Sequence, residues 1–497
     1  MKRSLLTITW LFAVVLPTFA QITLDFPFTR MVFQRDQENR GKILISGYTI
    51  PKVDSITVQL MPVAPETGEL QQEKLCNDFR SENKQLFSSI VEAPSGWYNL
   101  VVRTYRNSRL IDLYQLEKIG IGDVFLIAGQ SNAQGHGSRN PPSSLDMYER
   151  VNTILDYSLS MNQLTTFNYQ KLLAHFTLYP SGNTSWCYGL LGDMLVQRNK
   201  VPVLFLNAAI GATSSTDWAL SIENKAMHTA GRPDFPYHLV AKTLQFYANI
   251  TGFRAILWHQ GEYDTIFPPT DSYFTNLSKV IQETRKQVNF PLPWVVSEVS
   301  YFLDKTSPTV IADQRKLVQE INQVYAGPAT DGFVNSRSDG IHFSNEPGYN
   351  GLTLLAQAWD KALSSEFFKN AKPLLPTFTL PTVLYENKTT KLPTNFQVAP
   401  FNRTFDSFQF IKSQNGNHFV SPKVSCETSI SLTDATEHPK NNITKLYAQS
   451  KVEIGIPIRK KVFSAFAEEF ILLQPGFATE ANATFEANLK GCYEDWE

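Results

Sequence analysis

Apolar residues in this chain gather into short runs that each end in a polar, glycine-bearing stretch. Val124-Phe-Leu-Ile-Ala128 runs into Gly129-Gln-Ser131-Asn-Ala-Gln-Gly135, and Val201-Pro-Val-Leu-Phe-Leu-Asn207 into Ala-Ala-Ile-Gly211-Ala-Thr-Ser-Ser-Thr-Asp-Trp218. A third run, Phe253-Arg-Ala-Ile-Leu-Trp258, leads into His-Gln260-Gly-Glu262. Runs without polar alternation predict strands buried on both faces of a parallel sheet. Downstream, Pro347-Gly-Tyr precedes Leu352, Leu355, Trp359 and Leu363, whose helical spacing predicts a helix laying one face on that sheet. Alternating strands and helices predict a doubly wound α/β domain over residues 119–368.

The pattern differs on either side. Lys42-Ile-Leu-Ile-Ser-Gly47, Ser55-Ile-Thr-Val-Gln-Leu60 and Trp97-Tyr-Asn-Leu-Val-Val-Arg103 are short β-branched and aromatic runs separated by Gly, Pro and Asn, so 21–118 reads as a β-sandwich. Pro373, Pro376, Pro381, Pro393 and Pro400 mark 369–400 as a Pro-rich spacer, and 401–497 reads as a β-rich domain. The start reads as a signal peptide over 1–20: Lys2-Arg3 is basic, Leu5 to Leu16 apolar, and Thr18-Phe19-Ala20 offers a small-x-small cleavage site. That implies a secreted protein, periplasmic, cell-surface or extracellular. A chain of 497 residues is also too long for a single core.

Charge narrows the partners. Lys plus Arg number 45 against 46 Asp plus Glu, a net charge of −1; losing Lys2 and Arg3 with the leader takes it to −3. Neither nucleic acid nor an anionic membrane surface fits that balance, and no segment beyond the leader reaches membrane-spanning length. Cys76, Cys187, Cys426 and Cys492 are too few and too spread for a disulfide framework, with Cys426 and Cys492 as the plausible bridge. Sequons at Asn183, Asn249, Asn276, Asn387, Asn402, Asn442 and Asn482 matter only in a glycosylating host.

The chemistry sits in the polar stretches. Ser131 follows a strand's carboxyl end, where open α/β sheets place ligands, and near a helix N-terminus that favours negative charge. Asp339-Gly-Ile-His342 holds a carboxylate and an imidazole three residues apart, which a helical turn brings onto one face. A serine hydroxyl is a weak nucleophile and needs such a base, oriented by such an acid. Gln260 offers a carboxamide donor and Gly211 a backbone N–H for an oxyanion, beside the Ser131 N–H; Glu262 is a second candidate acid. Gln130 and Asn132 flank the serine as candidate substrate contacts, and Trp218 as a surface on which a sugar ring stacks. His136 and Arg139 either line the pocket or are solvated. Gly120-Ile-Gly122 lacks the third glycine of a dinucleotide loop, and no Gly-x-Ser-x-Gly elbow, Walker loop, His-Glu-x-x-His or Cys-x-x-Cys is present, so neither metal nor nucleotide cofactor is implied.

Taken together, Gly129-Gln-Ser-Asn132, Gly211, Trp258-His-Gln-Gly-Glu262 and Asp339-Gly-Ile-His-Phe343 resemble, in order, the blocks of the Ser-Gly-Asn-His (SGNH) hydrolases. The branch is that of sialate O-acetylesterases and the acetylxylan esterases of carbohydrate esterase family 6. The resemblance runs from about Gly120 to Phe368 and implies a three-layer α/β/α, flavodoxin-like parallel sheet. It also implies a serine acetylesterase acting on an acetylated carbohydrate. Where the wider superfamily has Gly-x-Asn-Asp, this chain has Gly261-Glu-Tyr-Asp264, so Tyr263 replaces the oxyanion asparagine. Within the branch the acid is either Asp339 or Glu262. Outside it, a non-glycan esterase or a glycan-binding protein with an inactive esterase fold would share the pattern. The end of the chain, Glu469-Phe-Ile-Leu-Leu-Gln-Pro-Gly-Phe477 and Thr484 to Cys492, resembles small β-repeats near the C-termini of secreted Bacteroidota proteins.

Overall fold

The computed structural model describes residues 21–378 apart from 64–67, 81–83, 138, 147–149, 155–168, 175 and 227–232, and beyond these the backbone of separate strands between 383 and 489. Residues 1–20, Cys426, Cys492 and residues 474–477 lie outside the described residues.

Nine strands open the chain: β1 (Gln21–Phe26), β2 (Val32–Gln34), β3 (Arg40–Ile50), β4 (Ser55–Pro62), β5 (Lys74–Leu75), β6 (Asn77–Arg80), β7 (Gln85–Pro94), β8 (Gly96–Arg106) and β9 (Arg109–Gly129). An antiparallel sheet in the order β1-β3-β7-β6 faces a second in which β5, β4, β8 and β9 are neighbours. Along β4, Ile56, Val58 and Leu60 are buried while Ser55, Thr57 and Gln59 are not, the period-two alternation of a strand with one face inward. They share a core with Ile43, Ile45 and Phe87 of the facing sheet, which makes the expected sandwich.

β9 belongs to two sheets. Its first half pairs antiparallel with β8 as far as Ile121, and Asp123–Ile127 and Phe125–Gly129 pair in parallel with the strands on either side of it in the second sheet. The boundary expected between 118 and 119 therefore lies inside a continuous strand.

The second unit follows: α1 (Ser131–Gln134), β10 (Val151–Ile154), β11 (Tyr169–Lys171), α2 (Tyr188–Asn199), β12 (Val203–Asn207), α3 (Ser215–Ser221), α4 (Tyr237–Tyr247), β13 (Ala255–His259), α5 (Glu262–Ile266), α6 (Tyr273–Val288), β14 (Trp294–Glu298), α7 (Pro308–Glu320), β15 (Val324–Ala329), α8 (Gly351–Ala362) and α9 (Ser365–Asn370). The sheet order is β11-β10-β12-β9-β13-β14-β15, parallel except for β11. Without the added edge pair β10 and β11, this is the flavodoxin-like order 2-1-3-4-5.

Alternate residues of the sheet feed two separate cores. Leu126, Leu206, Ile256 and Val296 pack with α4, α6 and α7 on one face; Ile127, Phe205, Leu257 and Val295 pack with α2 and α8 on the other. Burial on both faces is why these strands carry no polar alternation, and it gives the three layers. On α8, Leu352, Leu355 and Trp359 are fully buried, each burial contributing roughly 1.5–3 kcal/mol.

Part of the expected spacer is docked. Leu374 exchanges backbone hydrogen bonds with Phe253 (2.8 and 2.9 Å), and Phe378 is buried beside Phe33. In the tail, strands Glu427–Leu432, Lys445–Ile454, Val462–Ala467, Phe470–Leu473 and Thr484–Leu489 form one sheet whose pairings are all parallel. Cys76 and Cys187 are buried free thiols. Asn276 is buried and donates to Ser215 Oγ (3.2 Å) and Thr216 Oγ1 (3.3 Å), which leaves its sequon no room for a glycan.

Candidate active site

The strand order places β12 and β13 on opposite sides of β9, and chain connections leave β9 in opposite directions at this point. Open α/β sheets bind ligands in the crevice that such a reversal makes at the strands' carboxyl ends. At Gly129 the backbone has φ +131°, and a Cβ there would sit 2.1 Å from the His259 carbonyl oxygen, so only glycine lets β9 turn this tightly against β13. Gln130 then takes the N-cap position of α1 without a side-chain cap, and Ser131 is its first residue, 9% exposed.

Ser131 Oγ lies 2.9 Å from His342 Nε2, and His342 Nδ1 lies 2.8 Å from Asp339 Oδ2. The carboxylate and imidazole do not meet on a helical turn. They meet across a loop closed by the Arg337–Phe343 bridge, in which Asp339 Oδ1 accepts from the backbone N–H groups of Ile341 (2.9 Å) and His342 (2.7 Å). Arg139 donates to Asp339 Oδ2 at 2.7 Å and reaches Ser338 and Glu346 as well. Partial burial opposes the Asp339 charge, but the two N–H groups and the His342 ring hold its pKa down at about 2. The His136 ring covers one face of the His342 ring, with centroids 3.8 Å apart and planes 10° from parallel. Burial, then the neighbouring His342 and Arg139, push the His136 pKa below its ordinary value.

Glu262 is placed elsewhere. It is fully buried, accepts from Asn132 Nδ2 (3.0 Å), and lies 3.3 Å from His259 Nε2. Burial pushes its pKa up, yet His259 and Asn132 outweigh that and hold it below the ordinary carboxylate value. Asn132, expected as a substrate contact, is buried and engaged at both ends. Its Nδ2 also donates to the Ile341 carbonyl (3.1 Å) and its Oδ1 accepts from Phe343 N–H (3.2 Å), bracing the loop on either side of His342. Arg337, which no local pattern flagged, donates from Nε to the same Ile341 carbonyl and spreads over the Phe343 ring, 4.1 Å from its centroid.

Three further expectations need correction. Gln130 is buried, and its Oε1 accepts from the Gly261 and Tyr263 N–H groups, so it positions the β13 turn and faces no substrate. The Gln260 carboxamide is buried and donates to the Thr213 carbonyl (3.0 Å), to Gln130 Oε1 and to Asp264, so it offers no donor to an oxyanion. Trp218 lies on α3, fully buried, edge-on to Trp258 and bonded through Nε1 to Thr213, so no sugar can stack on it. Gly211 does adjoin the serine: a Cβ built on it would lie 3.4 Å from Ser131 Cβ. Its N–H donates to Gln134 Oε1 at 2.7 Å, while Gln134 Nε2 donates to the Ser181 carbonyl. Gln134 was legible in principle, since it lies three residues after Ser131 on the same turn. The Ser131 N–H meets no acceptor among the described residues.

Donor atoms of His136, Asp339 and His342 lie within 4.8 Å of one another, close enough for a metal ion. Both ring nitrogens of His342 are already engaged by Ser131 and Asp339, and stacked rings aim their lone pairs side by side, so ligation would require dismantling the relay. No helix among the described residues is long and apolar enough to cross a membrane.

A doubly wound sheet with serine, imidazole and carboxylate in line at its switch point defines a class, and the family comparison agrees with it: the protein is a carboxylic ester hydrolase of the SGNH type, an acetylesterase. Residues 121–360 match the family described as "Carbohydrate esterase, sialic acid-specific acetylesterase". No curated protein matches the chain. Among solved structures, a novel carbohydrate acetylesterase from Xanthomonas citri is similar at 16% identity, over 69% of this chain and 74% of its own, with a TM-score of 0.45. The psychrotrophic esterase EstA from Pseudoalteromonas sp. shares 12% identity over 48% and 96% of the two chains, with a TM-score of 0.28. NanS shares 13% over 48% and 96%, with a TM-score of 0.31.

Proposed function

We propose that the protein is exported and removes O-acetyl groups from sugars, sialic acid or a plant polysaccharide, through an acetyl-enzyme on Ser131. The observation that carries this reading is the unbroken relay Asp339–His342–Ser131, at 2.8 and 2.9 Å. His342 Nε2 takes the hydroxyl proton as Ser131 Oγ attacks the acetyl carbonyl. Asp339, held ionised by a pKa of about 2, fixes the ring's tautomer and stabilises the imidazolium that forms. The tetrahedral oxyanion is met by the Ser131 N–H, and by the Gly211 N–H once the bond to Gln134 Oε1 gives way; one such donor is worth about 2.7–4 kcal/mol in the transition state. His342 then protonates the departing sugar oxygen. Water, deprotonated by the same ring, attacks the acetyl carbon, and acetate leaves as Oγ regains its proton.

The family's description as sialic acid-specific supports an acetylated sialic acid as the first substrate to try, with acetylated xylan second. Export rests on the leader-like composition of residues 2–20. The test is acetate release from both substrates. Wild type is expected to release it from at least one, and Ser131→Ala to lose about 10⁴-fold or more in kcat. Activity retained in that variant would remove the serine from the mechanism.

A further inference from the structure

Once Trp218 is buried, recognition of the leaving group falls to other side chains. We propose that the stacked rings of Tyr263 and Phe267 form the platform on which the pyranose ring of an O-acetylated sugar rests while its ester meets Ser131. This rests on the esterase reading above and adds to it the residues that select a sugar.

The first observation is where apolar surface is left uncovered. Phe267 is 54% exposed, Leu303 51%, Val334 41% and Tyr349 38%. These four lie on the segments that follow β13, β14, β15 and His342, all at the end of the sheet that carries Ser131. Elsewhere, Leu145 and Leu375 are exposed away from these segments, and Ile50, Met61, Leu70, Leu75, Leu110 and Leu113 are exposed on the flanking sandwich. Exposed apolar side chains grouped beside a crevice mark a binding groove more often than chance scatter. Leu303 borders the acid-base loop directly: a Cβ on Gly340 would lie 3.0 Å from its Cδ2.

The second observation is rigidity. Tyr263 and Phe267 stand four apart along and just past α5, with ring centroids 4.6 Å apart and planes at 29°. The backbone beneath is tied to the serine's own neighbour, because Tyr263 N–H donates to Gln130 Oε1 at 3.2 Å. Thr265 Oγ1 donates to the Ser300 carbonyl at 2.6 Å. The pair therefore keeps a fixed position relative to the nucleophile. An aromatic face is matched to the C–H face of a pyranose, whose hydroxyls lie at its edge, free to meet water and polar groups.

The experiment compares KM for O-acetylated N-acetylneuraminic acid and for acetylated xylo-oligosaccharides with kcat/KM for ethyl acetate, whose leaving group is too small to span the platform. Phe267→Ala, an exposed position whose loss spares the core, is expected to raise KM about tenfold for whichever sugar is used. It should leave ethyl acetate hydrolysis within about twofold, and Phe267→Trp should restore the sugar KM. The proposal is overturned if sugar and ethyl acetate change in parallel, if KM for the sugar does not move, or if ethyl acetate is hydrolysed and neither acetylated sugar is. Ser131→Ala tests the esterase reading separately, so the two can fail independently.

Discussion

At the scale of residues, two carboxylates stand close to the serine and their partners separate them. Asp339 touches the His342 ring and two backbone N–H groups on the same loop, whereas Glu262 touches Asn132 and His259 beneath it. The first can compensate a charge developing on the imidazole; the second can only hold the amide that braces the loop. Asp339→Asn is therefore expected to lower kcat about 10⁴-fold by leaving the ring in the wrong tautomer, and Glu262→Gln about tenfold, the loss of one charge-assisted hydrogen bond. Steady-state kinetics on one acetyl ester decides it, and a reversed order would make Glu262 the acid. Sequence had already brought Ser131, Asp339 and His342 together because each lies in a short segment whose residue types suit one reaction. It left the choice of acid open, since three-residue spacing in one segment says nothing about what Glu262 faces, and that depends on Asn132 in another.

Among the elements, β9 carries the most. It serves the sandwich with its first half and the parallel sheet with its second, and the junction is pinned by a buried ion cluster. Asp123, fully buried, accepts from Arg35 (2.8 Å), which follows β2, and from Arg254 (2.9 Å), just before β13. Burial pushes the Asp123 pKa up, but the two guanidinium groups outweigh it and hold it at about 2. Because that is below the unfolded value of about 3.9, its stabilisation is fully present above about pH 4 and is lost as pH falls through about 2. Asp123→Asn would leave two buried cations uncompensated and is expected to cost about 3–5 kcal/mol in urea unfolding at neutral pH, with most of the difference from wild type gone near pH 2. An unchanged midpoint would show that the cluster holds nothing together. The strands around it were legible from their apolar runs. That β9 spans both units was not, because periodicity cannot say that a strand changes partners midway. Trp218 was read as a loop residue although Ser214-Ser-Thr-Asp217 is the capping box that starts α3; what the sequence does not say is that α3 presses its indole onto Trp258.

Across the whole molecule, four segments distant in the chain meet at one end of one sheet, and the order β12-β9-β13 is what brings them there. The flanking sandwich contributes Arg35 to the junction cluster and no side chain to the relay. The central claim is that Ser131 is the nucleophile and His342 its base. Treating the full chain with a fluorophosphonate and mapping the adduct by peptide mass spectrometry tests this most directly. A single adduct on the peptide containing Ser131, absent from His342→Gln, is the expected result. An adduct on another serine, or an unlabelled enzyme that still releases acetate, would contradict it.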